Sequence, residues 1–218
     1  GYTYLVFPAL LLARARLAAC PQHRATPFKL PTVSVVVAAY NEEAVIADKI
    51  RSVLTSSYPE GLLEVVVASD GSTDGTVDTI SSIADPRVHC LALPRVGKAT
   101  ALDEAIAAAS GEILVFTDAN SIFDAGTIAA LVAPFADPEV GGVAGDQRYL
   151  EQESQLGTSE GERRYWDLDR GMKEAESAAG NVISATGALY ALRRELCPKV
   201  PVGVTDDFAV STAQASAN

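Results

Sequence analysis

The chain has 218 residues, 48% hydrophobic and 21% charged, which is long and apolar enough for a sizeable core and unlike a disordered polymer. A formal net charge of −11 argues against a general nucleic-acid binder, because phosphate backbones require clustered Lys and Arg. An anionic ligand would need local help from a metal or from backbone N–H groups.

The first stretch, GYTYLVFPALLLARARLAAC, begins without Met and holds an apolar run from Tyr4 to Ala13, followed by Arg14, Arg16, Arg24 and Lys29. That run is too short to span a bilayer alone. It reads either as a surface helix or as the last turns of a transmembrane helix whose first half lies outside the chain. We take the second reading: residues 1–30 are the end of a transmembrane helix with a basic linker, and residues 31–218 are the domain that follows. Basic residues just after the apolar run place that domain on the cytoplasmic side of the membrane.

From Pro31 onward the pattern is regular. VSVVVAAY (33–40), LEVVVAS (63–69), VHCLAL (88–93) and EILVFTD (112–118) are short β-branched apolar runs, near-continuous instead of alternating, as in strands buried on both faces. Helical patterns lie between them. Glu42 and Glu43 suit a helix first turn, and Val45, Ile46, Ile50, Val53 and Leu54 form an apolar stripe. Val77, Ile80 and Ile83 repeat every three residues after Ser72 and Thr73. GKATALDEAIAAASG is Ala-rich with Leu102 and Ile106 on one face, and Gly111 sits where a helix would end. A helix carrying Ile128, Leu131, Val132 and Phe135 precedes a fifth strand through VGGVAGD (140–146). Alternating strand and helix predicts an α/β fold with a doubly wound, mostly parallel sheet flanked by helices. Glu162 to Ala179 reads as helix, with Tyr165, Trp166 and Met172 toward the core and Gly171 weakening it. Arg193 and Arg194 read as surface charges. Cys20, Cys90 and Cys197 are widely spaced with no C-x-x-C pair, and with only two histidines they read as reduced apolar residues, against a zinc site.

Parallel sheets bind ligands beyond the carboxyl ends of their strands, where loops and helix amino termini converge. The first predicted strand ends in AYNEE, the second in SDGSTDGT and the fourth in TDAN, so each exit carries a carboxylate. One such acid could be a turn or helix cap. Three aimed at one crevice repel one another unless a cation or hydrogen-bond donors stand among them, and hard oxygen ligands suit Mg2+ or Mn2+. No G-x-G-x-x-G follows the first strand and no G-x-x-x-x-G-K-S/T occurs, so a dinucleotide fits less well than a metal-held nucleoside diphosphate.

The order VSVVVAAYNEE, VVASDGSTDGT, GKATAL, ILVFTDANS, SATGALYALRRE and VTDDF resembles the family 2 glycosyltransferases of GT-A, Rossmann-like fold, with likeness to the processive membrane-bound branch of cellulose, hyaluronan and poly-N-acetylglucosamine synthases. The likeness runs from residue 33 to about 210. It implies a metal-dependent, inverting transfer of a sugar from a nucleotide-sugar donor, UDP-linked by expectation, to a glycan or lipid acceptor. On that resemblance Asp70 matches the residue that hydrogen-bonds the uracil base, while Ala39, Tyr40 and Glu42 line the nucleotide pocket and Lys98 sits where a cation reaches the nucleotide, Gly97 allowing close approach. Asp118 matches the first acid of the metal-binding D-x-D, and Asn120 stands in place of the second, keeping an oxygen donor while removing one charge.

The resemblance further implies that Asp207 is the catalytic base, with Asp206 raising its proton affinity by like-charge repulsion. Thr186, Gly187 and Ala188 would form the floor under the accepting sugar. The family's Q-x-x-R-W element and later membrane helices do not follow: the chain stops at ASAN, eleven residues past Asp207. The expectation is a domain truncated at its carboxyl end, attached to the membrane through its amino-terminal segment and the missing helices. Two alternatives stand beside it: a nucleotide-binding or scaffold domain with an incomplete site, favoured by Asn120, and a sugar nucleotidyltransferase, disfavoured because AAYNEEA is not a Gly-rich loop.

Overall fold

The β-branched run after Pro31 forms the strand that its composition predicts, β1 (Val33–Ala39), in a computed structural model that describes residues 29–145 and 189–197, all within one compact unit. There follow α1 (Ile46–Leu54), β2 (Leu63–Asp70), α2 (Thr76–Ser81), β3 (Val88–Leu93), α3 (Lys98–Ala108), β4 (Ile113–Thr117), α4 (Thr127–Val132), β5 (Gly142–Ala144) and β6 (Leu189–Arg193). The strands make one sheet in the order β3-β2-β1-β4-β6-β5. β1, β2, β3 and β4 run parallel, with Val33 opposite both Leu63 and Ile113, while β6 pairs antiparallel with β4 and with β5.

Both faces of the sheet are covered. On one face Val35 and Val37 pack with Ile46, Ile50 and Val53 of α1, Ile80 of α2, and Ile128 and Leu131 of α4. On the other, Val36, Val66 and Leu114 pack with Ala101, Leu102 and Ala105 of α3. Alternate residues of one strand thus feed two cores, which explains the near-continuous apolar runs. Burying each Ile or Val of α1 contributes roughly 1.5–3 kcal/mol. Phe116 and Tyr190 face each other across the β4–β6 pair with their rings stacked, 4.7 Å between centroids.

The chain builds outward from β1 through β2 to β3, then crosses back so that β4 lies on the other side of β1. This reversal leaves a crevice at the carboxyl ends of β1 and β4, the switch point at which such sheets bind ligands.

The structure departs from the sequence reading in several places. β3 is an edge strand with only one neighbour, so it is partly exposed instead of buried on both faces. Glu42 and Glu43 precede α1 and do not form its first turn. The fifth strand is only three residues long, and a sixth, β6, stands between it and β4. Arg193 is no surface charge: its guanidinium donates to the carbonyls of Val140, Phe135 and Asp137, tying β6 to the segment before β5. Arg194 is exposed, as expected.

Gly97 has φ +90°, a backbone conformation that favours glycine, with open space among the protein atoms where a Cβ would stand. The amino-terminal apolar run, the expected helix over 162–179, and Thr186, Gly187, Ala188, Asp206 and Asp207 lie outside the described residues. Among the described residues no helix is long and apolar enough to cross a membrane.

Gly111, just before β4, donates its N–H to Ser34 Oγ at 2.7 Å, and a Cβ there would stand 2.5 Å from the Ser34 backbone nitrogen. Gly111→Ala should therefore lower unfolding free energy by about 1–3 kcal/mol in urea titrations, since the strand cannot step aside. Wild-type stability in that variant would contradict this packing.

Candidate active site

The exits of β1, β2, β3 and β4 meet in a cleft of about 290 Å³. Ala39, Tyr40, Glu42, Asp70, Lys98, Asp118 and Asn120 all line it, joined by Ala38, Ala119 and Arg95. The small side chains of Ala38, Ala39 and Ala119 keep the floor open, and the acids and bases stand around it.

Asp70 ends β2 almost withdrawn from water, at 3% exposure. A buried carboxylate requires donors, and three converge on it. Val96 N–H and Gly97 N–H donate to Oδ1 at 2.6 and 2.9 Å, and Arg95 Nη1 donates to Oδ2 at 2.7 Å. The positive φ of Gly97 turns the chain so that its N–H faces the carboxylate before α3 begins at Lys98. The Arg95 guanidinium also lies over the Tyr40 ring, 3.5 Å from its centroid. Tyr40, Arg95 and Asp70 therefore form one wall of stacked guanidinium and ring, with Tyr40 43% exposed, suited to a flat base.

The loops after β1 and β2 hold each other. Asn41, at φ +56°, accepts the Thr73 N–H on its side-chain oxygen at 2.8 Å and donates its own N–H to Ser72 Oγ at 3.1 Å. Glu42 N–H donates to Thr76 Oγ1, Glu43 N–H to Asp74, and Gly75 N–H returns the bond to Glu43 Oε2. YNEE and SDGSTDGT thus form a reciprocal clasp around the entrance to α2, and Glu43 serves that clasp instead of a helix.

At the β4 exit the Asp118 carboxylate is 43% exposed and pairs with Lys98 Nζ at 3.4 Å. Asn120 faces the same cleft. Beneath them lies Lys49 of α1, fully buried, whose Nζ donates to Thr117 Oγ1 at 2.8 Å and sits 3.5 Å from the centre of the Phe123 ring. Burial pushes the Lys49 amine down to about 7, against a smaller upward pull from the Asp118 charge. Among the described residues no three His, Cys, Asp or Glu side chains cluster as a complete metal cage. One carboxylate and one amide oxygen suit Mg2+ or Mn2+, which bind through one or two protein oxygens and take the rest from phosphate and water.

Arg95 and Lys49 had sequence signals that were passed over. PRVGK follows the third strand, so the strand-exit rule applied to the other three would have reached Arg95. Lys49 stands between Ile46 and Val53 on the apolar stripe of α1, where a charged residue is out of place.

The open α/β sheet with this strand order and a cleft at its switch point matches the GT-A, Rossmann-like fold of the solved glycosyltransferases to which the chain is similar. Residues 34–200 match the model of glycosyl transferase family 2, and the chain belongs to that family. It is 30% identical over 187 residues to a poly-beta-1,6-N-acetyl-D-glucosamine synthase of Staphylococcus epidermidis, covering 82% of this chain and 44% of the relative. A synthase of the same name from Staphylococcus aureus strain COL is 29% identical, over 84% of this chain and 45% of the relative. The chain thus spans less than half the length of these curated relatives.

Among solved structures it is similar to a mannosyltransferase from Pyrobaculum calidifontis in complex with GDP-Man and Mn2+, with TM-score 0.79 and 30% identity over 99% of this chain and 60% of that one. Glucosyl-3-phosphoglycerate synthase from Mycobacterium tuberculosis, with Mn2+, UDP and glucosyl-3-phosphoglycerate, gives TM-score 0.54 at 26% identity, over 94% of this chain and 66% of that one.

The buried amine makes stability pH-dependent. Between about pH 7, where folded Lys49 titrates, and its ordinary value of 10.5, the unfolded chain binds the extra proton. Unfolding free energy should therefore rise with pH across that window, by about 5 kcal/mol at the limit, and the burden is fully present below pH 7. Urea midpoints of wild type minus Lys49→Met, measured from pH 6 to 9.5, isolate this contribution from other titrations; a flat difference would contradict it.

Proposed function

We propose that this chain is the donor-binding part of an inverting glycosyltransferase that moves a sugar from a UDP-sugar to a glycan or lipid acceptor at the cytoplasmic face of a membrane. The observation that carries the reading is the convergence of Tyr40, Asp70, Lys98, Asp118 and Asn120, from separate strand exits, in one cleft. The names of the curated relatives favour N-acetylglucosamine as the sugar. The UDP and Mn2+ bound by the mycobacterial synthase favour a uridine nucleotide and a divalent ion, although the Pyrobaculum enzyme holds GDP-Man.

On this reading the base lies against Tyr40 and Arg95, and Asp70 accepts from the base while its other lone pairs hold the 95–97 turn. Glu42 borders the nucleotide, and Lys98 turns toward its phosphates. Asp118 and Asn120 would hold Mg2+ or Mn2+, which neutralises negative charge on the diphosphate as it leaves. The acceptor hydroxyl oxygen forms the new bond to the anomeric carbon while the bond to the diphosphate oxygen breaks on the opposite face. Asp207 takes the hydroxyl proton, with Asp206 raising its affinity for it. Thr186, Gly187 and Ala188 support the acceptor sugar.

A second reading, a nucleotide-binding or scaffold domain with an incomplete site, draws on Asn120 in place of an acid and on the lack of a three-acid cluster among the described residues. It predicts nucleotide binding without transfer by the longest natural form of the chain.

Asp118→Ala should abolish the manganese-dependent part of UDP binding in calorimetric titrations; unchanged affinity in Mg2+ and Mn2+ would remove the metal assignment. Asp207→Asn should leave UDP binding within about twofold while transfer by the membrane-bound enzyme falls at least ~100-fold. A variant that still elongates glycan would exclude Asp207 as the base.

A further inference from the structure

We propose that Lys49 is a positioning residue for the donor site, holding the segment 117–123 from beneath so that Asp118 and Asn120 stand together at the cleft. The inference rests on the donor-site reading above and extends it to a residue that touches neither nucleotide nor metal.

The geometry is a clamp with two arms from one turn of α1. In the first, Lys49 Nζ donates to Thr117 Oγ1 at 2.8 Å, and that hydroxyl reaches the Asp118 carbonyl at 3.4 Å. The same nitrogen sits 3.5 Å from the Phe123 ring centre. In the second arm, Phe123 N–H donates to Ser52 Oγ at 3.2 Å, and Ser52 Oγ donates to the Lys49 carbonyl at 2.8 Å. Both ends of the segment are thus fastened to residues 49–52. Between them the Ser121 N–H closes a turn on the Asp118 carbonyl at 3.3 Å, and Asp118, Ala119 and Asn120 face the cleft.

Stability alone does not account for a lysine here. Ile46, Ile50 and Val53 around it are fully buried, and an apolar side chain would fill the same space without the desolvation that an amine suffers. What an apolar residue cannot supply is the donor to Thr117. Whether ammonium or neutral amine, Lys49 carries that N–H, so the clamp does not depend on its charge.

The test uses wild type, Lys49→Met, Thr117→Val and the double variant. Lys49→Met keeps the buried stem and removes the donor; Thr117→Val removes the acceptor and leaves α1 untouched. Two quantities are read: hydrogen exchange of amides 118–121 without ligand, and the Kd for UDP in Mn2+ and in EDTA. Both single variants should fold and exchange those amides about tenfold faster. Both should keep UDP affinity in EDTA within about twofold and lose about tenfold of the gain that Mn2+ confers, as when a group supporting a metal ligand is removed. The double variant should be no worse than either single one.

Unchanged exchange and an unchanged manganese gain would overturn the proposal, and so would an equal loss in EDTA and Mn2+, which marks general damage. If Lys49→Met does not fold, Thr117→Val decides on the same criteria. A wild type with no manganese gain would instead remove the donor-site reading, and the exchange rates would then decide whether Lys49 holds the segment.

Discussion

The arrangement at the cleft depends on one carboxylate that has been taken out of water. Asp70 closes β2 with 3% of its surface exposed, and a carboxylate in that position is tolerated only when donors surround it. Meeting that demand shapes the chain after β3: Val96 and Gly97 turn their N–H groups inward, Gly97 adopts a positive φ, and α3 starts at once with Lys98 over the cleft. Arg95 answers the second carboxylate oxygen and, in the same pose, lies on Tyr40. One buried acid thus links the exits of β1, β2 and β3 and aligns the aromatic wall with the cation at its edge.

Around that anchor the charges alternate. Arg95 matches Asp70, and Lys98 matches Asp118. The second pair is half-exposed and 3.4 Å long, and such pairs contribute about 0–1 kcal/mol. Both partners stand at the cleft, where a nucleoside diphosphate and a divalent ion would meet them. Asp70 and the clasp between YNEE and SDGSTDGT form the frame of the cleft, and the Lys98–Asp118 pair stands half-exposed at its mouth.

Much of this was legible because strand burial and strand exits leave strong local marks. Four apolar runs became β1 to β4 within a residue or two, and every chosen site residue within the described region lines the cleft. β6 was missed because GALYALRRE alternates poorly and pairs with β4 across more than seventy residues of chain, a partnership that no local pattern reveals. Arg193 followed from the same error, since a charge on an unrecognised strand reads as surface. Glu43 fits a helix first turn by propensity, but the β2 exit competes for it and holds it through the Gly75 N–H. Lys49 illustrates the limit of hydropathy patterns: the stripe was read by its apolar members, and the one polar residue on it was passed over, although its head group proves to be fastened inside.

Calorimetric titration of the chain with UDP in Mn2+ and in EDTA, beside GDP and NAD, tests the central claim most directly. The account predicts binding of UDP that strengthens at least ~10-fold with Mn2+, weaker binding of GDP and none of NAD. Absence of binding by any nucleotide, or UDP affinity indifferent to Mn2+ and EDTA, would contradict the assignment of this cleft as a metal-assisted donor site.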